Sequence, residues 1–254
     1  MKNVKFQTLN SLFLLIIISC FTACKKDEDK TLSLNTTETT LQRNQTFNII
    51  VSPDAIGCVF ESENDIIATV SSSGTITANK VGETYIDVKN VNKGFSAKCK
   101  VTVNPLYSMY REPYLIFGKS KTDIKSYETR SIYQEKDSSI MYTGENSYIA
   151  ALVYIFHKSG YSSSSALIAV GNESLFANYL AERYVSISTS DPILMMTTDN
   201  KILVGISVYS ISYYMITYVP KPTTKSNLSS KSNSELIETF DDIKNKVKDL
   251  YPIK

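Results

Sequence analysis

The sequence predicts a mainly β protein in two parts, a β-sandwich over residues 31–104 and an α+β domain over 105–220 made of two helix-plus-antiparallel-sheet repeats. Three observations lead there. β-branched and aromatic runs dominate after residue 45, and the chain holds 17 Tyr and 10 Phe but no Trp; such residues favour pleated, half-buried surfaces. Between Thr31 and Asn104 short strand signals recur between turn residues, the spacing of a sandwich. Between 105 and 220 a pattern of one helix followed by three strands occurs twice.

Met1 to Lys30 read as an export signal. Lys2 and Lys5 form a basic start, Leu12 to Ile18 an apolar run too short to span a bilayer, and Ala23 is a small residue before Cys24. The segment resembles bacterial lipoprotein signals, which implies loss of residues 1–23 and lipidation of Cys24. It departs from the usual pattern in Phe21, where Leu is common, and Cys20 offers a second site. The stretch Lys25-Lys26-Asp27-Glu28-Asp29-Lys30 resembles the surface-export tag of Bacteroidota lipoproteins. That resemblance implies a tether over residues 24–30 and display on the outer face of the outer membrane. Several acyl chains anchor a protein stably, whereas one, at about 0.8 kcal/mol per buried CH2, holds marginally. The membrane is therefore one expected partner, reached through the lipid.

The chain carries 27 Lys and Arg against 25 Asp and Glu. Loss of Lys2 and Lys5 with the signal leaves 25 of each, and a balance near zero gives no electrostatic reason to expect nucleic acid.

In the sandwich, strands are predicted at Thr46–Ser52, Cys58–Ser62, Ala68–Ser71, Thr75–Ala78, Thr84–Asn90 and Phe95–Val103. Cys58 shares strand parity with Phe60, and Cys99 with Val101 and Val103, so both thiols face the interior. In an exported protein they are candidates for a disulfide, or equally two separate buried thiols acting as small hydrophobes. A bridge would close a loop of about 41 residues and contribute at most roughly 4 kcal/mol.

The run Ile67-Ala68-Thr69-Val70-Ser71, Gly74-Thr75-Ile76-Thr77-Ala78, Val81-Gly82-Glu83-Thr84-Tyr85-Ile86-Asp87-Val88 resembles the group 2 bacterial immunoglobulin-like domain. Phe60 stands where that family often carries Trp. The resemblance covers about 70 residues and implies a non-catalytic spacer, stalk or adhesion module; a shared fold leaves the binding role open.

Asn104-Pro105 ends the last of these strands, since Pro cannot continue a ladder. The first repeat is then a helix at Lys121–Ser131 with strands at Ser139–Thr143, Ser147–Phe156 and Ser164–Val170. The second is a helix at Glu173–Tyr184 with strands at Ile193–Thr198, Ile202–Tyr209 and Ile211–Val219. Asp199-Asn200 supplies a hairpin turn. Leu175, Phe176, Tyr179, Leu180 and Tyr184 share one helix face. Gly118-Lys119-Ser120 before an amphipathic helix and a strand meander is similar to the tandem modules of β-lactamase-inhibitor-like envelope proteins, and carries no functional residue across. Residues 221–254 read as a polar linker and an amphipathic helix. Ser232 and Glu235 form a capping-box pattern, and Leu236, Ile237, Phe240, Ile243, Val247 and Leu250 make the apolar face, which is expected to dock on its own domain or to serve a partner.

Sites of chemistry are sparse. The sole histidine, His157, lies at a strand end without a nucleophile and orienting carboxylate in pattern, and Ser162 to Ser165 read as a polar loop. One His and two Cys do not make a zinc set, Asp27-Glu28-Asp29 and Asp241-Asp242 do not make a calcium loop, and Gly118-Lys119-Ser120 lacks P-loop spacing. No metal or cofactor is expected. Glu182-Arg183 is a candidate site pair, against the alternative of a solvated or locally paired helix end. Tyr214 and Tyr218 share one strand face and are the candidate binding surface, against the alternative that they are sheet packing. The expectation is a non-enzymatic surface lipoprotein that binds a protein or glycan; the alternative is a periplasmic protein whose second domain binds an envelope protein or inhibits a hydrolase.

Overall fold

The computed structural model describes residues 32–221 and 233–252. Cys20, Cys24, the tether and Ser232 lie outside them. The described protein is mainly β, with several sheets and a C-terminal helix.

The first part begins with β1 (Ser33–Leu34), paired with β4 (Val51–Ser52). A four-stranded sheet runs in the order β2 (Glu38–Gln42), β9 (Phe95–Asn104), β8 (Gly82–Asn90) and β5 (Cys58–Ser62), with β2 parallel to β9. A three-stranded sheet runs β3 (Thr46–Asn48), β7 (Thr75–Ala78) and β6 (Ala68–Val70). Along β8, Thr84, Ile86, Val88 and Asn90 are buried while Glu83, Tyr85 and Lys89 are exposed, the alternation a half-buried strand requires. Ile86, Val88, Cys99, Val101 and Val103 of one sheet share a core with Ala68, Ile76 and Ala78 of the other. Gly74 turns the chain at φ +85°, where a Cβ would stand 3.0 Å from the Phe60 ring; only glycine takes that conformation and leaves the ring its place. The predicted single strand 46–52 is two short strands, because Ile49 and Ile50 leave the ladder between them. Polar β2, Glu38-Thr39-Thr40-Leu41-Gln42, carried too little apolar signal to be predicted.

Cys58 and Cys99 are free, and of the two readings left open the bridge is the one the register excludes. Cys58 pairs with Asn90, Asn90 pairs with Phe95, and Cys99 lies four residues further along β9. Two strand spacings across and four residues along separate the Cα atoms by more than about 15 Å, far beyond the reach of a disulfide. Cys99 is enclosed in the core, where burial raises its thiol pKa; Cys58 is half-buried against the same core.

The second part is one eight-stranded antiparallel sheet. Its order is β10 (Ile132–Lys136), β11 (Ser139–Asn146), β12 (Ile149–His157), β13 (Gly160–Ala169), β17 (Tyr213–Pro220), β16 (Ile202–Val208), β15 (Ile193–Thr197) and β14 (Tyr184–Ser188). Helix α1 (Lys121–Tyr127) precedes the first four strands and α2 (Glu173–Arg183) the second four. Each half thus has four strands where three were predicted. The two missed strands, β10 and β14, are the sheet edges; β10 is largely exposed and β14 buries only Tyr184, so neither carries a strong apolar pattern. Helix α1 stops at Tyr127, four residues early, because Glu128 turns to extended geometry and points into the sheet with Arg130. Its start is as capping rules expect: Ser120 and Asp123 form a reciprocal box.

One face of the sheet is covered by α1, α2 and residues 107–117; the other by α3 (Asn233–Leu250). Phe240, Ile243 and Val247 are buried there, so the apolar face of α3 docks on its own sheet. Phe240 sits in a notch made by Gly205, where a Cβ would stand 2.5 Å from the ring. The Tyr209 hydroxyl donates to the Tyr251 carbonyl at 2.7 Å and ties down the far end. Among the described residues no helix is long and apolar enough to cross a membrane.

Candidate binding cleft

Glu128, Arg130, Tyr154, Tyr110, Tyr184 and Tyr218 on the sheet's α1/α2 face are engaged by the fold itself, whereas the buried hydroxyls of Tyr142 and Tyr179 have no hydrogen-bond partner among the described residues. The Glu128 carboxylate, fully enclosed, accepts from the Tyr154 hydroxyl at 2.5 Å, Arg130 Nη1 at 2.7 Å and Arg111 Nη2 at 2.8 Å. Arg130 also donates to Glu145, at 2.6 Å from Nε. Burial alone would raise the Glu145 carboxyl; the bonds from Arg130 and from the Arg111 N–H outweigh it and hold the pKa below the ordinary value. These residues form a satisfied buried network, the condition under which buried charge is tolerated.

Tyr218, predicted as half of a binding surface, is fully buried. Its hydroxyl bonds to those of Tyr110 and Tyr184, and Tyr184 donates to Glu112. Burial, then the neighbouring phenol and carboxylate groups, raise the pKa of all three tyrosines well above the ordinary value. The parity argument placed Tyr218 on the correct face; that face is internal because α2 and residues 107–117 cover it. Ser163, Ser164 and Ser165 are likewise no loop. They are buried in β13, with Ser164 accepting from Tyr161 at 2.8 Å and Ser165 bonded to Thr217 at 2.9 Å. His157 is exposed at the hairpin between β12 and β13.

Glu182, read as half of a site pair or as a solvated or locally paired helix end, is fully buried and joins the two parts of the chain. Its carboxylate accepts from the main-chain N–H groups of Leu106 at 2.9 Å and Tyr107 at 3.1 Å, and pairs with Arg183. The last carbonyls of α2 are capped from the first part: Lys80 Nζ donates to Ala181 at 2.8 Å and the Val81 N–H to Glu182 at 2.7 Å. A helix C-terminus leaves these carbonyls without internal partners and favours a cation. Asn64 adds a bond to the Thr198 carbonyl at 3.0 Å. Nothing in the local sequence distinguishes this glutamate from a solvated one; its partners lie about 75 and 100 residues away.

Tyr214 is placed differently from Tyr218. It is half-buried, packed on Phe176 at 5.6 Å between ring centres, and lines a cleft between α2 and the β15–β17 end of the sheet. The cleft encloses about 430 Å³. Phe176, Leu180, Ile193, Ile206 and Val208 complete its apolar wall, because period-2 alternation turns Ile193, Ile206 and Val208 to the α2 side and α2 presents Phe176 and Leu180 back. Glu173 and Asp191 stand at its rim. The Glu173 carboxyl is held below its ordinary pKa chiefly by the Gly171 N–H, which donates at 2.8 Å, and to a smaller degree by the Tyr214 hydroxyl. The arrangement offers shape and negative charge. Among the described residues no cluster of three or more His, Cys, Asp or Glu side chains is placed to hold a metal ion.

No family model matches the sequence, and no curated protein matches it. Three solved structures of the S-layer protein SbsC are similar at low level. Domains 5-6 align with a TM-score of 0.26 and 14% identity, covering 77% of this chain and 85% of that one. Domains 4-9 give 0.23 and 14%, covering 77% and 27%. Domains 4 and 5 give 0.23 and 14%, covering 76% and 86%. At these TM-scores the likeness carries no argument about fold or function.

Proposed function

We propose that the protein is a lipid-anchored outer-membrane lipoprotein of the cell surface, in which an immunoglobulin-like sandwich acts as a spacer and the sheet domain as a non-catalytic binding module. The observation that carries this reading is the sequence of Met1 to Lys30: basic start, short apolar run, Ala23-Cys24, then six consecutive charged residues. Two opposed sheets around one core, with the parallel pairing of β2 and β9, support the immunoglobulin-like reading of the first part. A helix and a four-strand meander in each half of the eight-stranded sheet support the reading of the second part as a repeat. The capping of α2 by Lys80 and Val81 supports the spacer role, since a spacer must hold its cargo at a fixed orientation. Radiolabelled fatty-acid incorporation into the native chain and a Cys24→Ser variant tests the anchor. Labelling of the native chain only supports it; equal labelling of both, or none, contradicts it.

A further inference from the structure

We propose that the Tyr214 cleft takes the bulky apolar side chain of a protein segment that carries a lysine or arginine beside it. The inference rests on the reading of the sheet domain as a binding module and names the ligand class for it.

The cleft volume, about 430 Å³, lies within the range of ligand sites and accommodates one or two large side chains. Its wall is apolar and its charged members are two carboxylates, Glu173 and Asp191, with no Lys, Arg or His among the described lining residues. Two like charges beside a low-dielectric wall favour a cation in the occupant and repel an anion. The apolar surface continues past the mouth. Ile193 and Val208 are 40% and 55% exposed, and Ile211, at the tip of the turn joining β16 to β17, is 96% exposed. The Val170 N–H bonds to the Ser212 carbonyl, which sets a further exposed aliphatic group, Val170, beside that tip. Exposed aliphatics gathered at one end of a sheet and rimmed by charge mark a contact surface. Their spread beyond the cavity fits a chain segment, whose neighbouring residues cover Val208 and Ile211, better than a compact small molecule. A Phe-Lys or Leu-Lys pair matches both features.

The test is an NMR titration of the full chain, observing the methyl groups of Leu180, Ile193 and Ile206. The probes are Ac-Gly-Ser-Phe-Lys-Ser-Gly-amide, the same peptide with Glu for Lys, and phenethylamine. The Lys peptide is expected to shift these methyls and to bind about fivefold or more tightly than the Glu peptide. That preference should vanish in a variant combining Glu173→Gln with Asp191→Asn. Ala177→Trp, on the exposed side of α2 and lining the cleft, should abolish binding while methyl signals elsewhere stay in place. Equal binding of both peptides, shifts outside the cleft, or a phenethylamine affinity matching that of the Lys peptide would overturn the proposal. No response to any probe would overturn it too, without touching surface display, which depends on the signal and tether.

Discussion

The main-chain N–H of Val81 caps the carbonyl of Glu182, 2.7 Å away, so the last turn of α2 is completed by a residue about one hundred positions upstream. The Glu182 side chain in turn holds the N–H groups of Leu106 and Tyr107, fixing the connection between the two parts. One residue therefore ties the first part, the connection and the helix together.

Glu182→Ala leaves the Leu106 and Tyr107 N–H donors without their acceptor and takes the carboxylate from Arg183, which keeps its bonds to the Tyr179 and Tyr107 carbonyls. The expected cost is about 3 kcal/mol, with the two parts unfolding in separate calorimetric transitions. Glu182→Gln, which keeps one acceptor oxygen, should lose less. A single unchanged transition in the alanine variant would contradict the coupling.

Gly205 makes room for Phe240 on the α3 face of the sheet. Gly205→Leu should push α3 off the sheet, lowering stability by about 1–3 kcal/mol and exposing the helix to limited proteolysis. Pairing it with Phe240→Ala should restore part of the loss, since the clash and its partner are then both removed. The readout is the urea midpoint together with the cleavage pattern.

Arg130 and Glu128 answer each other in the interior, with side chains almost fully enclosed. Arg130→Ala leaves the Glu128 carboxylate buried with less counter-charge and should cost about 3–5 kcal/mol. Changing Glu128 to Gln as well should recover part of it. Chemical denaturation of the two variants measures the difference.

The buried phenols predict a loss of stability at alkaline pH. Burial pushes Tyr142 and Tyr209 up to about 12, and Tyr110, Tyr184 and Tyr218 well above the ordinary value. A raised pKa means that the folded state holds the proton longer than the unfolded chain does. The contribution is complete below the unfolded pKa near 10 and is lost as pH rises through the folded values. Stability should be flat in this respect up to about pH 10, then fall by about 1.4 kcal/mol per pH unit for each such phenol. With no Trp in the chain, tyrosinate absorbance should report it directly, with part of the tyrosine titrating only on unfolding.

The strands with strong period-2 patterns were legible in the sequence. Thr84, Ile86 and Val88 alternate with charged and polar neighbours, and Val101 and Val103 follow Cys99 inward, so β8 and β9 were placed within about two residues. Edge strands β10 and β14 were not, since an edge buries too little to select apolar residues. Parity put Tyr214 and Tyr218 on one face but said nothing of depth: Tyr218 lies under α2 and Tyr214 at its open end. The buried role of Glu182 left no local signal, because the N–H groups it holds, those of Leu106 and Tyr107, lie about 75 residues away in sequence. The thiols illustrate the same point, since both face inward but their registers keep them apart.

The most direct measurement of surface display is protease accessibility in intact cells of the native organism, comparing the native chain with a variant in which Lys25-Lys26-Asp27-Glu28-Asp29 are replaced by alanines. Digestion of the native chain and protection of the variant is the predicted result. Protection of both would contradict display on the surface and place the cleft's partner on the periplasmic side.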